Sequence, residues 1–226
     1  MKRLVIRNSK TIRKKAYEFL RERVLDGEIP PDVRLVETKI AAQIGTSRTP
    51  VREALHNLEL EGLLKAIPRV GYVVVATSEE DLEEICEIRA VIESLAARRA
   101  VKKAQLELVA ELGKNIADQE ERVNKREFGA FVELCAQFHE TIARLSESKR
   151  LLELSQTLRR HMLRYRVKSI YKSETARGVI NGHKKILEAI GRGDLNEITD
   201  AIHVHMEESR EAVVRFGFTD RMNADD

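Results

Sequence analysis

The sequence predicts a mainly α-helical protein, with an N-terminal winged helix-turn-helix followed by a C-terminal all-helical bundle of about six helices. All four prolines lie in the first 68 of the 226 residues, and the remainder contains none. Because proline is poorly tolerated inside helices, this asymmetry favours a mixed N-terminal region and an all-helical C-terminal one. Apolar residues recur three and four residues apart throughout the proline-free part, the spacing of helices with one buried face.

The first 76 residues have the turn signals of three helices and a hairpin. Helices are predicted at 10–26, 37–44 and 47–61, and strands at 63–67 and 72–75. Gly27, Gly45 and Gly62 are expected to end the three helices. The sequence PRVG at 68–71 joins the two strands, so residues 1–76 are predicted to form a winged helix-turn-helix domain.

The second domain is predicted over residues 77–218. Its helices are expected near 79–103, 105–124, 127–146, 149–170, 175–191 and 194–216. Ser78 is placed to cap the first of them, with Asp81 completing a capping-box pattern. Residues 219–226 are predicted to form a disordered tail.

Charge is distributed unevenly along the chain. The net charge is only +3, but residues 1–76 contain 15 Lys and Arg against 9 Asp and Glu. A basic first third indicates a polyanionic partner for this domain. The sequence has neither the pattern of a secretory signal peptide nor that of a membrane span, so we expect a cytoplasmic protein. Its two cysteines, Cys86 and Cys135, are then expected to be free thiols.

The stretch SRTPVREAL at 47–55 begins the third predicted helix, with Ser47 as its cap. Pro50 falls in the first turn, where backbone amides have no partner within the helix. The inward positions of this helix leave three residues on its outer face: Arg48, Thr49 and Arg52. Arginines there can pair with guanine or clamp a phosphate, so the pattern predicts a recognition helix rather than simple surface charges.

Residues 34–73 resemble the DNA-binding domain of the GntR family of bacterial transcription regulators. The resemblance is dense in LVETKIA, IGTSRTPVREAL and LELEGLL and in the glycine-bearing wing. It implies that double-stranded operator DNA contacts six residues: Arg34, Ser47, Arg48, Thr49, Arg52 and Arg69. Arg69 would lie at the wing tip, although the family usually has the basic residue directly before the glycine and here Val70 intervenes.

Three of the six histidines lie on the apolar stripes of different predicted helices in the second domain. His139 lies one turn after Cys135 on the third helix, and His183 and His205 lie on the fifth and sixth. Histidines that point inward from facing helices build metal sites in bundles, and imidazole with a thiolate or carboxylate suits Zn²⁺ and similar ions. Hydrogen-bonded core histidines are the alternative interpretation.

The second domain resembles the FCD effector domain of the FadR-like GntR subfamily, in EIRAVIESLAARRA, FVELCAQFHETIARL, GHKKILEAIGRGD and AIHVHMEES. The resemblance implies a divalent metal, zinc, nickel or manganese, held by His139, His183 and His205. Cys135 stands where the family usually has a metal-binding aspartate, and a thiolate is also a ligand for zinc. The resemblance further implies a small organic acid as the effector.

Arg89 lies on an apolar stripe of the second domain's first helix, where a charge requires an anion. Glu93, four residues further on, is one candidate for that anion. The FCD resemblance implies the other, because it makes Arg89 the residue that holds the effector carboxylate near the metal. Arg164 and Arg166 are candidates for a second anchor.

These observations together predict a ligand-responsive transcription regulator, a repressor, that binds a pseudo-palindromic operator as a homodimer. A metal-dependent enzyme on the helical bundle is the main alternative. Against it, the sequence has no HExxH motif, and no carboxylate accompanies the histidines as an evident general base. A non-specific architectural DNA-binding protein is the other alternative, and it would have no use for inward histidines. We therefore predict that the protein is not an enzyme.

Overall fold

The computed structural model describes residues 9–25, 28–31, 33–76, 78–166 and 173–217. The chain divides into two compact units, with the division after residue 77. The predicted tail at 219–226 lies outside the described residues, and so does the end of the helix predicted at 149–170.

In its described part, the N-terminal unit has three helices and a two-stranded sheet: α1 (Ser9–Leu25), α2 (Glu37–Gln43), α3 (Arg48–Leu60), β1 (Leu64–Ile67) and β2 (Gly71–Val74). The strands are antiparallel, with Leu64 opposite Val74 and Ile67 opposite Gly71. Each element begins and ends within one residue of its predicted position. The predicted winged helix-turn-helix is therefore confirmed.

The core of this unit forms between α1 and α3. The completely buried residues of α3 have the three- and four-residue spacing of one helical face: Val51, Ala54, Leu55 and Leu58. They belong to one apolar cluster with three residues of α1: Ala16, Leu20 and Val24. Because this face must be buried, the opposite side of α3 is the one left exposed to solvent.

Two glycines of this unit have positive φ angles. Gly45 follows α2 with φ 68°, as predicted for the turn between the helices. Gly71 begins β2 with φ 123°, and a Cβ atom there would lie 2.5 Å from the carbonyl oxygen of Leu35. Leu35 and Tyr72 exchange both backbone hydrogen bonds, at 2.8 and 3.0 Å. This close approach ties the segment before α2 to the wing.

The prediction that the Ser47 side chain caps α3 is wrong. Ser47 occupies the cap position with φ −79° and ψ 164°, but its side chain makes no hydrogen bond to the helix. A cap hydroxyl accepts from the amide of the second or third helical residue. Here the third is Pro50, which has no amide hydrogen, so one of the two usual donors is missing.

Over residues 78–166 and 173–217, the second unit has five helices: α4 (Glu79–Asn124), α5 (Phe128–Leu145), α6 (Lys149–Arg166), α7 (Ser173–Arg192) and α8 (Leu195–Gly217). The two helices predicted at 79–103 and 105–124 are joined into α4, which is kinked between them at Ala104 (φ −149°, ψ 44°). Neither glycine nor proline stands there, so the helix resumes after the kink. The Gln105 side-chain amide then donates to the carbonyl of Ile190 in α7, at 2.8 Å.

The start of α4 is capped as predicted, because the Oγ of Ser78 accepts a hydrogen bond from the backbone amide of Asp81 at 3.0 Å. The helices enclose one large apolar core, whose completely buried members include Leu108, Leu112, Phe131, Phe138, Ile186 and Ile202. The predicted all-helical second domain is confirmed. In the described part of the chain, no helix combines the length and the apolar character that crossing a membrane requires.

Candidate functional sites

The exposed face of α3 contains the residues predicted to contact DNA. Arg48, Thr49 and Arg52 are all exposed, together with Ser47 just before the helix, while Val51 on the other side is completely buried. This places two guanidinium groups and two hydroxyls on the first turns of one helix, where the positive end of the helix dipole also lies. Such a face is suited to phosphates and to base edges in a major groove.

Arg48 has a weak partner within the unit. Its guanidinium lies 3.6 Å from the carboxylate of Glu37 on α2, and its side chain is 68% exposed. Exposed pairs of this kind contribute about 0–1 kcal/mol, so a DNA phosphate could displace Glu37 at little cost.

The other two residues predicted to contact DNA, Arg34 and Arg69, lie beside the wing and at its tip. Arg34 is exposed and directly precedes Leu35, the residue that pairs with Tyr72 of β2. Arg69 is exposed in the turn between the strands, which is closed by a 3.0 Å hydrogen bond from the Val70 amide to the Ile67 carbonyl. Its φ of 64° suits a turn in which the third residue must be left-handed. The side chain thus lies at the wing tip, as expected.

In the helical unit, the structure brings His139 of α5, His183 of α7 and His205 of α8 together. One nitrogen from each ring lies within 4.8 Å of the others, and all three side chains are buried. The Nε2 atoms of His139 and His183 are 3.3 Å apart. A tetrahedral ion with bonds of about 2.0–2.1 Å holds two nitrogen ligands about 3.3–3.4 Å apart, so the spacing fits a shared metal.

The other nitrogens of two rings are held by acceptors on α4. The Nδ1–H of His183 donates to the side-chain oxygen of Gln119 at 2.9 Å. The Nδ1 of His139 lies 2.6 Å from a carboxylate oxygen of Glu93. With the protons on Nδ1, both Nε2 atoms present lone pairs towards the same point. Metal-binding histidines usually donate their second ring N–H to a carboxylate or carbonyl in this way.

The amide of Gln119 is itself fixed. Its nitrogen donates to the Asn115 side chain at 2.6 Å, and Asn115 donates to the backbone carbonyl of Leu134 at 3.2 Å. These bonds leave the Gln119 oxygen for His183. Gln119 is not among the residues predicted from the sequence, although its position gives a signal. It is a polar residue on the stripe of Leu112, Ile116 and Val123, and it is completely buried.

Glu93 links the histidines to Arg89. The Arg89 guanidinium donates to one Glu93 oxygen at 3.1 and 2.9 Å, and both side chains are buried. Burial by itself raises the pKa of Glu93, but the interactions with His139 and Arg89 outweigh it and hold the pKa at about 2. Of the two anions proposed for Arg89, the internal one is therefore present in the structure.

Cys135 is not brought into the group of three histidines. Its thiol is 1% exposed and lies 3.9 Å from the Gln119 side-chain oxygen, the same atom that accepts from His183. Cys135 and His139 share a stripe of α5, but their side chains meet different residues of α4. The position of Cys135 on α5 is thus compatible with the predicted ligand role. The distances between potential metal-ligand atoms, however, favour the three histidines.

A small cavity adjoins His139 and Glu93. Its lining includes Arg89, Ser155, Gln156 and Arg159. Among the described residues, the Nη1 atom of Arg89 and the Oγ of Ser155 are buried without a hydrogen-bond partner. Unsatisfied buried donors of this kind are costly unless a ligand completes them. The side chains of Arg164 and Arg166, the other anchor candidates, lie outside the described residues.

A winged helix whose α3 exposes two arginines, joined to a helical unit with three buried histidines, is the architecture of a DNA-binding regulator with a separate sensing domain. The chain belongs to the GntR family of bacterial regulatory proteins, whose model matches residues 12–74, and its helical unit matches the FCD domain over residues 84–208. Family and relatives are transcription regulators and not enzymes, which confirms that prediction.

Two curated relatives illustrate the similarity. The chain is 29% identical to the uncharacterized HTH-type transcriptional regulator YdhC of Bacillus subtilis (strain 168) over 175 residues, or 77% of this chain and 78% of that one. It is 28% identical to the gluconate operon transcriptional repressor of Bacillus licheniformis over 196 residues, or 84% of this chain and 79% of that one.

Solved structures share the fold. Escherichia coli McbR/YncC superposes with a TM-score of 0.68 at 22% identity, covering 90% of this chain and 97% of that one. A GntR regulator from Rhodococcus sp. RHA1 gives a TM-score of 0.64 at 21% identity, covering 90% and 98%.

Proposed function

We propose that this cytoplasmic GntR regulator represses transcription by binding a pseudo-palindromic operator as a homodimer, and that a small carboxylate bound near a metal changes its DNA affinity. One observation supports the DNA-binding part above the others: the first turns of α3 expose Arg48, Thr49 and Arg52 opposite a completely buried face. Relatives named as repressors support repression rather than activation.

The metal part of the proposal is supported by the three histidines and their acceptors. His139, His183 and His205 would hold the ion, and zinc, nickel and manganese all accept imidazole ligands. Glu93 and Gln119 would keep the protons on Nδ1 of His139 and His183, so that the lone pair on Nε2 of each ring remains free to bind the ion. When bound, the ion supplies a Lewis-acidic centre for an oxygen ligand.

The carboxylate part is supported by the cavity that His139 shares with Arg89. Two buried donors without partners among the described residues, Arg89 Nη1 and Ser155 Oγ, lie on this cavity. A carboxylate at this cavity would accept hydrogen bonds from such donors beside His139, one of the proposed metal ligands. Arg89 would then hold Glu93 through one side of its guanidinium and the effector through the other.

The test measures operator affinity, at fixed salt, for metal-loaded and metal-free protein across a panel of small organic acids. An operator selected from genomic fragments should bind at least about a thousandfold more tightly than competitor DNA. At least one acid should change that affinity about 5- to 150-fold in the metal-loaded form alone. A panel of chelating acids that changes affinity in neither form would contradict the sensing part and leave the DNA-binding part intact.

His183→Ala should abolish the response to the acid while sparing operator binding by the unliganded protein. His203→Ala is the matched control, because His203 is exposed on α8 two residues from His205. Equal responses of the two variants would mean that His183 is only a core residue.

A further inference from the structure

One face of α4 exposes three large apolar side chains in succession. Ile88, Val91 and Leu95 are 40%, 62% and 51% exposed, and their spacing of three and four residues places them on the same side of the helix. The opposite side of this segment is buried and includes Arg89 and Glu93. A row of exposed apolar residues on one helix differs from the scattered single ones that any surface has.

The charges that flank this row change sign along the helix. Before it, α4 contains six acidic residues: Glu79, Glu80, Asp81, Glu83, Glu84 and Glu87. After it come four basic ones: Arg98, Arg99, Lys102 and Lys103.

Three of these charges continue the same exposed face: Glu84, Arg98 and Lys102, at four, three and seven residues from its ends. In the described part of the chain, none of the three makes a hydrogen bond or an ion pair. Along α4, this face is therefore acidic at its N-terminal end, apolar in the centre and basic at its C-terminal end, and these three charged side chains have no partner among the described residues.

We infer that this face of α4 is where a second copy of the chain packs, antiparallel, across a two-fold axis near Val91. An antiparallel copy places Ile88 opposite Leu95 and Glu84 opposite the Arg98 and Lys102 end, so each charged end meets its opposite. A parallel copy would set like charges together. A partner with charge of a single sign would match one end and repel the other. The inference rests on the proposed homodimer, because it assigns the surface through which that dimer forms.

The location gives the interface a functional consequence. Val91 lies between Arg89 and Glu93 in the sequence, so the residues at the axis and those beside the histidines share one turn of one helix. A ligand that reorients Arg89 or Glu93 would act on the turn that meets the other subunit. The two faces of α4 thus connect the sensing site to subunit arrangement through a single rigid element.

Sedimentation equilibrium of the full chain tests the inference. Wild-type protein should have a mass of twice 25.8 kDa, and Val91→Arg should raise the dimer dissociation constant about a hundredfold, since two unpaired charges would meet at the axis. Leu154→Arg is the matched control, because Leu154 is 48% exposed on α6 and lies outside this face. Helical circular dichroism should be unchanged in both variants.

Charge reversal supplies a second measurement that does not depend on the apolar residues. Glu84→Arg alone and Arg98→Glu alone should each weaken the homodimer, because like charges then meet at both ends of the interface. Mixing the two variants should yield a heterodimer, because opposite charges then meet at both ends. Val91→Cys should form a disulfide-linked dimer on air oxidation, because residues at a two-fold axis face their own copies. The native Cys86 and Cys135 are buried and should not contribute.

The outcomes separate this inference from the dimer itself. A wild-type dimer that Val91→Arg leaves intact, and that Val91→Cys does not cross-link, would overturn the assigned face while the homodimer stands. A wild-type monomer that binds operator at the same concentration would overturn the homodimer and this inference together. Recovery of the wild-type chain with a different protein on this face, lost in Val91→Arg, would also overturn the assignment to a second copy.

Discussion

The Nε2 atoms of His139 and His183 lie 3.3 Å apart, and the opposite nitrogen of each ring is held by a side chain of α4. Glu93 meets His139 at 2.6 Å, and Gln119 meets His183 at 2.9 Å. A single helix therefore orients two imidazoles that come from two other helices. This arrangement explains why α4 contributes the buried polar residues Glu93 and Gln119 to an otherwise apolar core.

Gln119→Leu should lower metal affinity about 10- to 100-fold, because His183 loses the acceptor that sets its tautomer. Competition with a chromophoric chelator measures the change. Gln105→Leu is the control, since Gln105 is another α4 glutamine that bonds a backbone carbonyl far from the histidines. If both variants lose thermal stability and both keep full metal affinity, Gln119 serves only to complete hydrogen bonds in the core and does not orient a metal ligand.

Gly182→Ala should disrupt the proposed metal site, although the substitution adds only one methyl group. A Cβ atom on Gly182 would overlap the Nδ1 atom of His205, whereas one on Gly178, a turn earlier on α7, would meet nothing within 4 Å. We expect Gly182→Ala to displace the His205 ring and reduce bound metal below half of the wild-type level. Elemental mass spectrometry of both purified variants checks this, with Gly178→Ala expected to match wild type.

Cys135→Ala should retain bound metal, because the thiol lies 3.9 Å from the Gln119 oxygen and is not part of the group formed by the three histidines. We expect metal affinity within about threefold of wild type, since the Gln119 oxygen keeps its stronger partner, His183. The absorption of the cobalt-substituted protein offers a direct readout, as thiolate ligation adds an intense near-ultraviolet band. A band present in wild type and absent from Cys135→Ala would establish the cysteine as a ligand.

Arg52→Ala should reduce operator affinity about 5- to 150-fold while leaving fold and mass unchanged. If Arg52 contacts a base, the loss of affinity should be smaller for non-specific DNA than for the operator. If Arg52 binds a phosphate, the loss of affinity should be equal for the two DNAs. Arg150→Ala is a suitable control, because Arg150 is an exposed arginine of the helical unit. Unchanged affinity in Arg52→Ala would remove α3 as the recognition helix.

Arg89→Met should destabilise the metal-free protein by about 3–5 kcal/mol, because Glu93 would keep a buried charge without its arginine. Urea unfolding followed by circular dichroism measures the free energy. The double variant Arg89→Met with Glu93→Leu should recover part of the loss, since only the His139 nitrogen is then left without an acceptor. A double variant as unstable as the single one would mean that packing, and not charge, determines the cost.

Much of the fold was predictable because its causes are local. The confinement of proline to the first 68 residues and the spacing of Val51, Leu55 and Leu58 placed the helices and the exposed face of α3. The same periodicity predicted that His139, His183 and His205 point inward. Periodicity alone did not predict that the Ser47 side chain fails to cap α3. That outcome also depends on Pro50, which lies in the same turn and has no backbone amide hydrogen.

The sequence by itself determined the two domains, the recognition helix and the inward histidines, because periodicity and turn residues act over a few positions of the chain. Only the tertiary structure decided that Arg89 takes Glu93 as its anion, that Gln119 orients His183, and that Cys135 lies beside Gln119 while His139 joins His183 and His205. Those choices depend on how α4, α5 and α7 pack, and residues as far apart as Gln119 and His183 meet only there.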